Sequence, residues 1–324
     1  NTNSGNLVGY TNIGHFVGQQ NPSYSPDTVT GNVSTGNLNI LENNDFTRTV
    51  DGTTVSYIVY TQKGFETWVA EAHKSVEENY VCNLTLETDI VLPIPAAGES
   101  NWTPIGTEPN RFKGNIDGKN HTITNLTVKE SRAGMGFIGY ISSGSIKNIT
   151  LDKVDILQST TSNYNHVGAI AGYAAVNIDN CHVLSGTIVG LDDWVGGIAG
   201  ACSKTITGCT NYASVTGAEK GYSTNGYVGG IVGDGNVSNS ENYGAVIGYK
   251  TYTGGITGSG DATGCKNFAD VTKGDKGSRT GGITGSGTAE NSSNSGNVNG
   301  YARVGGICGN GDAVDCDNTG TVIG

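Results

Sequence analysis

The chain of 324 residues lacks several features that other protein classes require. No run of about 18 apolar residues occurs, so no segment reads as a membrane-spanning helix. Proline is absent after Pro109, and long amphipathic helical runs are absent from the remainder. Basic residues are few, 18 Lys and Arg against 29 Asp and Glu, and the net charge is −11. This acidic balance argues against nucleic acid and anionic membrane surfaces as partners.

Cysteines in metal-binding spacing are also lacking. The seven cysteines are an odd number and include no C-x-x-C pair, so we predict no metal site and no cofactor. Five of them lie in repeated phrases where other repeats have Cys or Ser, and we interpret them as buried free thiols: Cys181, Cys209, Cys265, Cys308 and Cys316. The turns Gly233 to Gly235, Gly258 to Asp261 and Gly309 to Asp312 lack the calcium-binding β-roll repeat, so we interpret them as plain turns.

What the chain has in abundance is glycine, and many of its 52 glycines recur at fixed points of a short phrase. The phrase reads V/T-G-G-I-x-G, with alanine for the second glycine in its first copy. Its isoleucines are 24 to 33 residues apart: Ile170, Ile198, Ile231, Ile256, Ile283 and Ile307. One coil of a β-solenoid takes roughly 20–30 residues, whereas helical repeats need long amphipathic runs. The spacing therefore predicts an all-β fold, a parallel β-helix of about seven or more coils.

Aligning the repeats on this phrase places similar residues in columns. One column contains Cys181, Cys209, Ser240, Cys265, Ser292 and Cys316. A second contains Asn211, Asn242, Asn267, Asn294 and Asn318, and beside it stand Tyr212, Tyr243 and Phe268. Successive coils of a parallel β-helix lie about 4.8 Å apart, so the columns become ladders. We expect the small residues to point inward, the Asn side chains to bond along the axis, and the rings to stack.

The first part of the chain has a different character. Residues 1–45 carry few large apolar residues and no assignable pattern, whereas Asp51-Gly52 within Phe46 to Tyr60 predicts a tight hairpin. Residues 64–78 predict a helix with one apolar stripe: Phe65, Trp68, Val69, Ala72 and Val76. We interpret this helix as an N-terminal cap over the first coil. The predicted division is an N-terminal segment, 1–63, ending in the hairpin, and a β-helix, 64–324, with coils from about residue 81.

Between the helix and the glycine phrases stands a series of further motifs. They are W-T-P-I-G at Trp102 to Gly106, F-K-G-N-I-D-G-K-N-H-T-I-T-N-L-T-V at Phe112 to Val128, G-F-I-G at Gly136 to Gly139 and I-K-N-I-T-L at Ile146 to Leu151. Together with the later phrases, this series resembles bacterial surface proteins with GLUG-type repeats, over roughly residues 61 to 324.

The resemblance implies a right-handed parallel β-helix, export to the bacterial surface or periplasm, and a role in adhesion. Repeats of this kind also accompany immunoglobulin-A-cleaving metallopeptidases, which need a zinc-binding H-E-x-x-H motif. None of the five histidines begins such a motif, so that activity does not carry over: His15, His73, His121, His166 and His182.

The segments of unequal length between repeats are the candidate binding surface. They run from Gln158 to His166, Leu191 to Trp194, Ala218 to Tyr227, Tyr249 to Tyr252, Lys273 to Arg279 and Tyr301 to Arg303. We expect them to leave the coils on one side as loops, and they carry Tyr164, His166, Asp192, Asp193, Trp194, Tyr222, Tyr227, Tyr249, Tyr252, Arg279, Tyr301 and Arg303. Aromatic rings among polar groups suit a glycan or a protein partner, or they pack on one another and hold the loops down.

Catalysis has less support in the sequence. Asp192 and Asp193 are chain neighbours that would point to opposite faces of an extended strand, so they make a poor pair for glycoside hydrolysis. The local cationic cluster of Lys273, Lys276 and Arg279 is interpreted as a solvated loop. We therefore predict a non-catalytic extracellular or cell-surface adhesion module that binds a glycan or a host or bacterial surface protein. A carbohydrate-active β-helix enzyme and a structural spacer are the alternatives.

Two further expectations concern the ends of the chain. Because the sequence begins at Asn1 without a signal peptide, we expect a mature or trimmed chain of an exported protein. Because it stops at T-V-I-G where a repeat closes, we expect the β-helix either to continue or to self-associate through its last coil.

Overall fold

The computed structural model is a parallel β-helix with an α-helix near its N-terminal end, which confirms the predicted fold class. It describes residues 39–158, 165–191, 194–217, 226–249, 251–274 and 279–324. Four sheets of described strands run along the axis, and beyond the antiparallel strands at the start of the first sheet their neighbouring strands pair in parallel between successive coils. No helix in these ranges is long and apolar enough to cross a membrane.

The four sheets follow one another around each coil. The first contains Asn39–Glu42, Phe46–Asp51, Thr54–Val59, Val81–Leu86, Phe112–Asp117, Ile138–Lys147, Ala171–Ala174, Ile178–Asp179, Ala199–Thr207, Val232–Ser238, Thr257–Ser259, Ala262–Thr263, Thr284–Ser286, Ala289–Glu290 and Ala313–Val314. The second contains Ile90–Val91, Thr122–Thr124, Thr150–Asp152, His182–Val183, Thr210–Asn211, Glu241–Asn242, Lys266–Asn267, Ser293–Asn294 and Asp317–Asn318. The third contains Thr127–Glu130, Val154–Gln158, Gly186–Gly190, Ser214–Gly217, Val246–Gly248, Val271–Lys273, Val298–Asn299 and Val322–Ile323. The fourth contains Gly134–Met135, His166–Val167, Trp194–Gly196, Tyr227–Gly229, Tyr252–Gly254, Arg279–Gly281 and Val304–Gly305.

The predicted hairpin and helix are both present. Phe46–Asp51 and Thr54–Val59 pair in antiparallel register around Asp51-Gly52, and Thr54–Val59 then pairs in parallel with Val81–Leu86 of the first coil. The helix spans Gln62–Glu78, and the side chain of its N-cap residue Thr61 accepts a hydrogen bond from the Gly64 N–H. Its predicted stripe is oriented inward, with three residues fully buried: Phe65, Trp68 and Ala72.

The helix packs on the first coils through large rings. Phe65 stacks on Trp102 at a centroid distance of 5.9 Å, Trp68 lies 6.1 Å from Phe137, and Trp102 lies 5.0 Å from Phe137. These buried rings remove a large apolar area from water where the stack of coils would otherwise be open. The arrangement fits the predicted role of the helix as a cap.

The Cys/Ser column is in register, and its members before the last coil are buried, as predicted. Cys308 and Cys316 are only half-buried because they lie in the last described coil, so their interpretation as buried thiols was wrong. The Cys181 N–H donates to Cys209 Sγ at 3.3 Å, and the Cys209 N–H donates to Ser240 Oγ at 3.0 Å. The Cys265 N–H likewise donates to Ser292 Oγ at 3.0 Å. All the cysteines are free, and burial raises the pKa of the Cys265 thiol to about 11, so it is protonated at neutral pH. These side chains act as small interior residues that also satisfy the backbone.

The Asn column forms a continuous hydrogen-bonded ladder. Nδ2 of Asn211 donates to Oδ1 of Asn242 at 3.1 Å, Asn242 donates to Asn267 at 2.9 Å, and Asn267 donates to Asn294 at 2.7 Å. A Cβ on Gly230, the second glycine of the repeated phrase, would collide with the Asn242 carboxamide. Glycine and asparagine recur together in the sequence because each coil packs one against the other.

Candidate functional site

Five of the predicted site residues form one column on the fourth sheet. His166, Trp194, Tyr227, Tyr252 and Arg279 each begin a strand of that sheet, and each is the register partner of the next. We call these five residues the aromatic column. They span more than one hundred positions in the sequence and come together only because the coils stack in register.

The aromatic column is a nearly parallel stack. The ring centroids of His166 and Trp194 are 4.6 Å apart with planes 7° from parallel, and Trp194 lies 5.8 Å from Tyr227 at 3°. Tyr227 and Tyr252 are 4.9 Å apart at 2°. The guanidinium carbon of Arg279 lies 4.7 Å from the Tyr252 ring centroid, so a cation–π contact continues the stack. The neighbouring groups cover one another's faces, and their partly exposed edges form the outer surface.

The prediction that these residues leave the coils on loops was wrong for all five. Each of them directly precedes the Val or Thr of the repeated phrase, within a strand. Side chains alternate between the two faces of a strand, so a buried residue such as Val195 or Val228 fixes its predecessor outward. The strand backbone therefore positions the column more rigidly than a loop would.

A second group of side chains surrounds the His166 end of the column. The Tyr140 hydroxyl lies 3.2 Å from His166 Nδ1, and the His166 ring meets the Tyr173 ring edge-on at 5.4 Å. The Arg111 guanidinium lies 5.0 Å from the Tyr173 ring centroid. Burial, followed by the nearby Arg111 charge, lowers the pKa of His166 to about 4. His166 is therefore neutral at pH 7 and is not poised to act as a general acid.

The Arg279 end of the column carries a second cation that the sequence analysis misread. Lys273 is only 7% exposed, and its Nζ donates to the Thr251 carbonyl at 2.7 Å, so the interpretation as a solvated loop residue was wrong. Burial, followed by the Arg279 charge, lowers the pKa of Lys273 to about 7. The sequence held a signal for this: Lys273 occupies a position that is glycine in the neighbouring coils, Gly248 and Gly300.

The remaining predicted residues lie off the column or outside the described ranges. Tyr249 is half-buried and its ring lies against Gly274, while Tyr301 is 72% exposed. Arg303 is exposed, has a positive φ of 51°, and accepts a hydrogen bond from the Thr280 N–H at its carbonyl. Four predicted residues lie outside the described ranges: Tyr164, Asp192, Asp193 and Tyr222.

A separate ring ladder lies on another face. Tyr212 and Tyr243 stack at 4.4 Å, and Tyr243 and Phe268 at 4.6 Å, which confirms the predicted stacking. These rings follow the second-sheet strands and are 48%, 36% and 43% exposed. We call them the outer ring ladder. It provides a reference for effects that come from ring stacking alone.

Asp234 follows the glycine phrase in the coil of Tyr227, and burial raises the pKa of its carboxyl. Within the described ranges, no three His, Cys, Asp or Glu side chains form a group able to hold a metal ion. The arrangement provides ring edges, hydroxyls and cations, which are groups that bind polar ligands by contact and hydrogen bonding.

Comparisons with known proteins agree with the fold. No family model matches the chain. Halomucin of Haloquadratum walsbyi is 31% identical over 172 residues, which is 43% of this chain and 2% of Halomucin, so the chain spans only a small part of that relative's length. The crystal structure of a protein described as a "putative immunoglobulin A1 protease" from Bacteroides ovatus has a TM-score of 0.57 at 20% identity, covering 83% of this chain and 82% of that one. At this identity the structural similarity shows a shared fold alone.

Proposed function

We propose that this chain is a non-catalytic extracellular binding module of a surface protein, and that its ligand is a glycan laid along the aromatic column. The observation that carries the proposal is the alignment of His166, Trp194, Tyr227, Tyr252 and Arg279 in one partly exposed strip. A solenoid presents such a strip as a regular linear surface, which suits a polymeric ligand. The resemblance to GLUG-repeat surface proteins and the similarity to Halomucin support an extracellular location.

The exposed edges of the aromatic column favour a polar ligand. Tyrosine hydroxyls and the Arg279 guanidinium can form hydrogen bonds with sugar hydroxyls. The neighbouring ring edges exclude water from these hydrogen bonds. The covered ring faces favour a second candidate function, a spacer in which the rings serve only to hold successive coils together. The two functions differ in whether removing rings from the column removes a ligand.

A glycan array separates the two functions. We expect the chain to bind a subset of glycans and a Trp194→Ala, Tyr227→Ala double variant to lose that signal. The matched control is Tyr243→Ala, Phe268→Ala, which removes two rings from the outer ring ladder and should retain the signal. Thermal unfolding of both variants establishes that each is folded at the temperature of the array. Equal signals from the three proteins, or no signal from the unmodified chain, would reject glycan binding at the column.

A further inference from the structure

A second register column lies on the first sheet, beside the aromatic column. We call it the flanking column, and its members are Tyr140, Tyr173, Ala201, Asp234, Ser259 and Ser286. From Tyr173 onward, each member follows the aromatic-column residue of its own coil by seven residues. Because both columns keep their register, the two residues of each such pair are placed in the same way in every coil.

The first of these pairs shows that the two columns face one another. The ring of Tyr173 meets the ring of His166 edge-on, at a centroid distance of 5.4 Å. The pair of Tyr227 and Asp234 lies two coils further along. There the backbones approach so closely that a Cβ on Gly233 would lie 2.8 Å from the Tyr227 carbonyl oxygen. The carboxyl of Asp234 therefore lies beside the Tyr227 ring.

The flanking column changes its chemistry along the axis. Its first two members are tyrosines, whereas its last three are Asp234, Ser259 and Ser286, which are short, polar and partly exposed. The later rings of the aromatic column therefore have hydrogen-bonding groups beside their edges and not a second row of rings.

The carboxyl of Asp234 is an oriented hydrogen-bond acceptor. It is half-buried, and burial raises its pKa, while a hydrogen bond from the Ser259 hydroxyl of the next coil opposes that rise. An ionised carboxylate has about four acceptor sites, so the bond from Ser259 leaves room for further donors. Donors that reach a partly desolvated carboxylate form stronger hydrogen bonds than they would at an exposed one.

We propose that the Asp234 carboxylate binds two neighbouring hydroxyls of a neutral sugar residue that packs against the edge of the Tyr227 ring. This inference rests on the proposed function and adds the class of sugar and a residue that selects it. Each sugar hydroxyl donates one charge-assisted hydrogen bond, and the two carboxylate oxygens accept them. An acidic sugar would bring a second negative charge close to Asp234, which is unfavourable. The site therefore selects a neutral sugar.

Isothermal titration calorimetry with glucose, galactose and galacturonate oligosaccharides tests this selection. We expect a neutral oligosaccharide to bind the unmodified chain more tightly than galacturonate does. Asp234→Asn, which keeps the side-chain shape but removes the charge, should weaken neutral binding by about tenfold or more. The matched control is Asp261→Asn, since Asp261 is exposed and its Oδ1, which accepts from the Thr288 N–H at 2.8 Å, is retained. Unchanged binding by Asp234→Asn, or tighter binding of galacturonate, would overturn the proposal.

NMR of the side-chain 13Cγ nuclei gives a second readout that a purely structural role would not affect. A sugar that binds the ionised carboxylate more tightly must, by linkage, favour that form. The titration midpoint of Asp234 should therefore move to lower pH with a saturating neutral oligosaccharide, and that of Asp261 should stay in place. A midpoint of Asp234 that does not move would contradict the proposal.

The same calorimetry separates this inference from the proposed function, with thermal unfolding showing that each variant is folded. If Trp194→Ala, Tyr227→Ala abolishes binding while Asp234→Asn leaves it unchanged, the glycan function stands and the role of Asp234 is wrong. If Asp234→Asn weakens binding while the double variant retains it, the carboxylate subsite stands without the aromatic column. If none of the oligosaccharides binds, both proposals are rejected.

Discussion

The first coils and the later coils share one fold but differ in what fills it. Among the largest fully buried side chains are Trp68, Phe65, Phe112, Phe137 and Met135, all in the first half of the chain. One first-sheet register column shows the change along the axis, since Ile146, Ile178 and Ile206 are followed by Val237, Ala262 and Ala289. Buried Asn, Ser and Thr become frequent over the same later coils.

This difference indicates that the stability of the two regions has different physical origins. The first coils and the helix depend on burial of large apolar area, at about 25 cal/mol per Å². The later coils have thinner cores and depend more on ladders in which each polar side chain bonds to the coils above and below. Lys273 lies in this second region, where the register already accommodates buried polar residues and a lysine can replace a glycine.

The largest expected effect tests the apolar region. Trp68→Ala removes a fully buried ring from the stack with Phe65 and Phe137, so the free energy of unfolding should fall by about 3–5 kcal/mol. Urea unfolding followed by circular dichroism measures this change. Glu66→Ala, an exposed position on the same helix, should change it by less than about 0.5 kcal/mol. A Trp68→Ala effect under about 1 kcal/mol would contradict an apolar origin of stability in this region.

Disrupting the Asn ladder should give the second-largest loss in the free energy of unfolding. Asn242→Ala leaves the Asn211 amide and the Asn267 carbonyl without their ladder partners, so we expect a loss of about 3 kcal/mol. Asn297→Ala is the control, because this exposed residue is outside the ladder, and it should cost less than about 1 kcal/mol. The same urea measurement compares them, and equal losses would show that the ladder adds no special stability.

Lys273 predicts a pH dependence that belongs only to the later coils. Its pKa is about 7 in the folded chain and about 10.4 in an unfolded one, so between these values the unfolded chain binds more protons and stability rises with pH. From pH 7 to 8.5 the rise should reach up to about 2 kcal/mol in the unmodified chain relative to Lys273→Met. Unfolding midpoints across this range measure the difference, and parallel profiles for the two proteins would contradict it.

The smallest predicted effect is a stabilisation. Thr253→Val keeps the side-chain shape and removes a buried hydroxyl that has no hydrogen-bond partner among the described residues, so the free energy of unfolding should rise by about 1 kcal/mol. Thr257→Val is the matched control: Thr257 is equally buried, but its hydroxyl donates to the Gly235 and Ser259 carbonyls, so this variant should lose about 1 kcal/mol. Thermal unfolding detects the sign of each change, and the same sign in both would remove the argument that Thr253 is unsatisfied.

Sequence reasoning recovered the features that repetition makes visible. Aligning the glycine phrases reveals the Cys/Ser column, the Asn column and the outer ring ladder. The spacing of the glycine phrases predicts the fold. The helix Gln62–Glu78 was recognisable because its apolar stripe is the only long one, and the Asp51-Gly52 hairpin was recognisable because its turn residues are specific. Each of these depends on a local pattern that one protein structure satisfies much better than others.

Sequence reasoning misplaced two features of the site, the aromatic column and Lys273. The aromatic column was assigned to loops because the segments before each phrase differ in length, although Trp194 and Tyr227 are strand residues fixed by the buried valines after them. Lys273 was assigned to solvent because lysine is seldom buried, although it occupies an interior-adjacent strand end in register with Gly248. In both cases the pairing register between coils decides where the side chain lies, and the sequence of a single repeat does not contain that register.

The most direct measurement of the central claim uses the three tryptophans as position markers. In the 19F NMR spectrum of 5-fluorotryptophan-labelled protein, Trp68 and Trp102 report the buried cap region and Trp194 reports the aromatic column. Titration with galactose, glucose and galacturonate oligosaccharides should shift the Trp194 resonance with at least one of them and leave the other two tryptophan resonances unchanged. An unchanged Trp194 resonance in all three titrations, or equal shifts of all three tryptophans, would contradict ligand binding along the column.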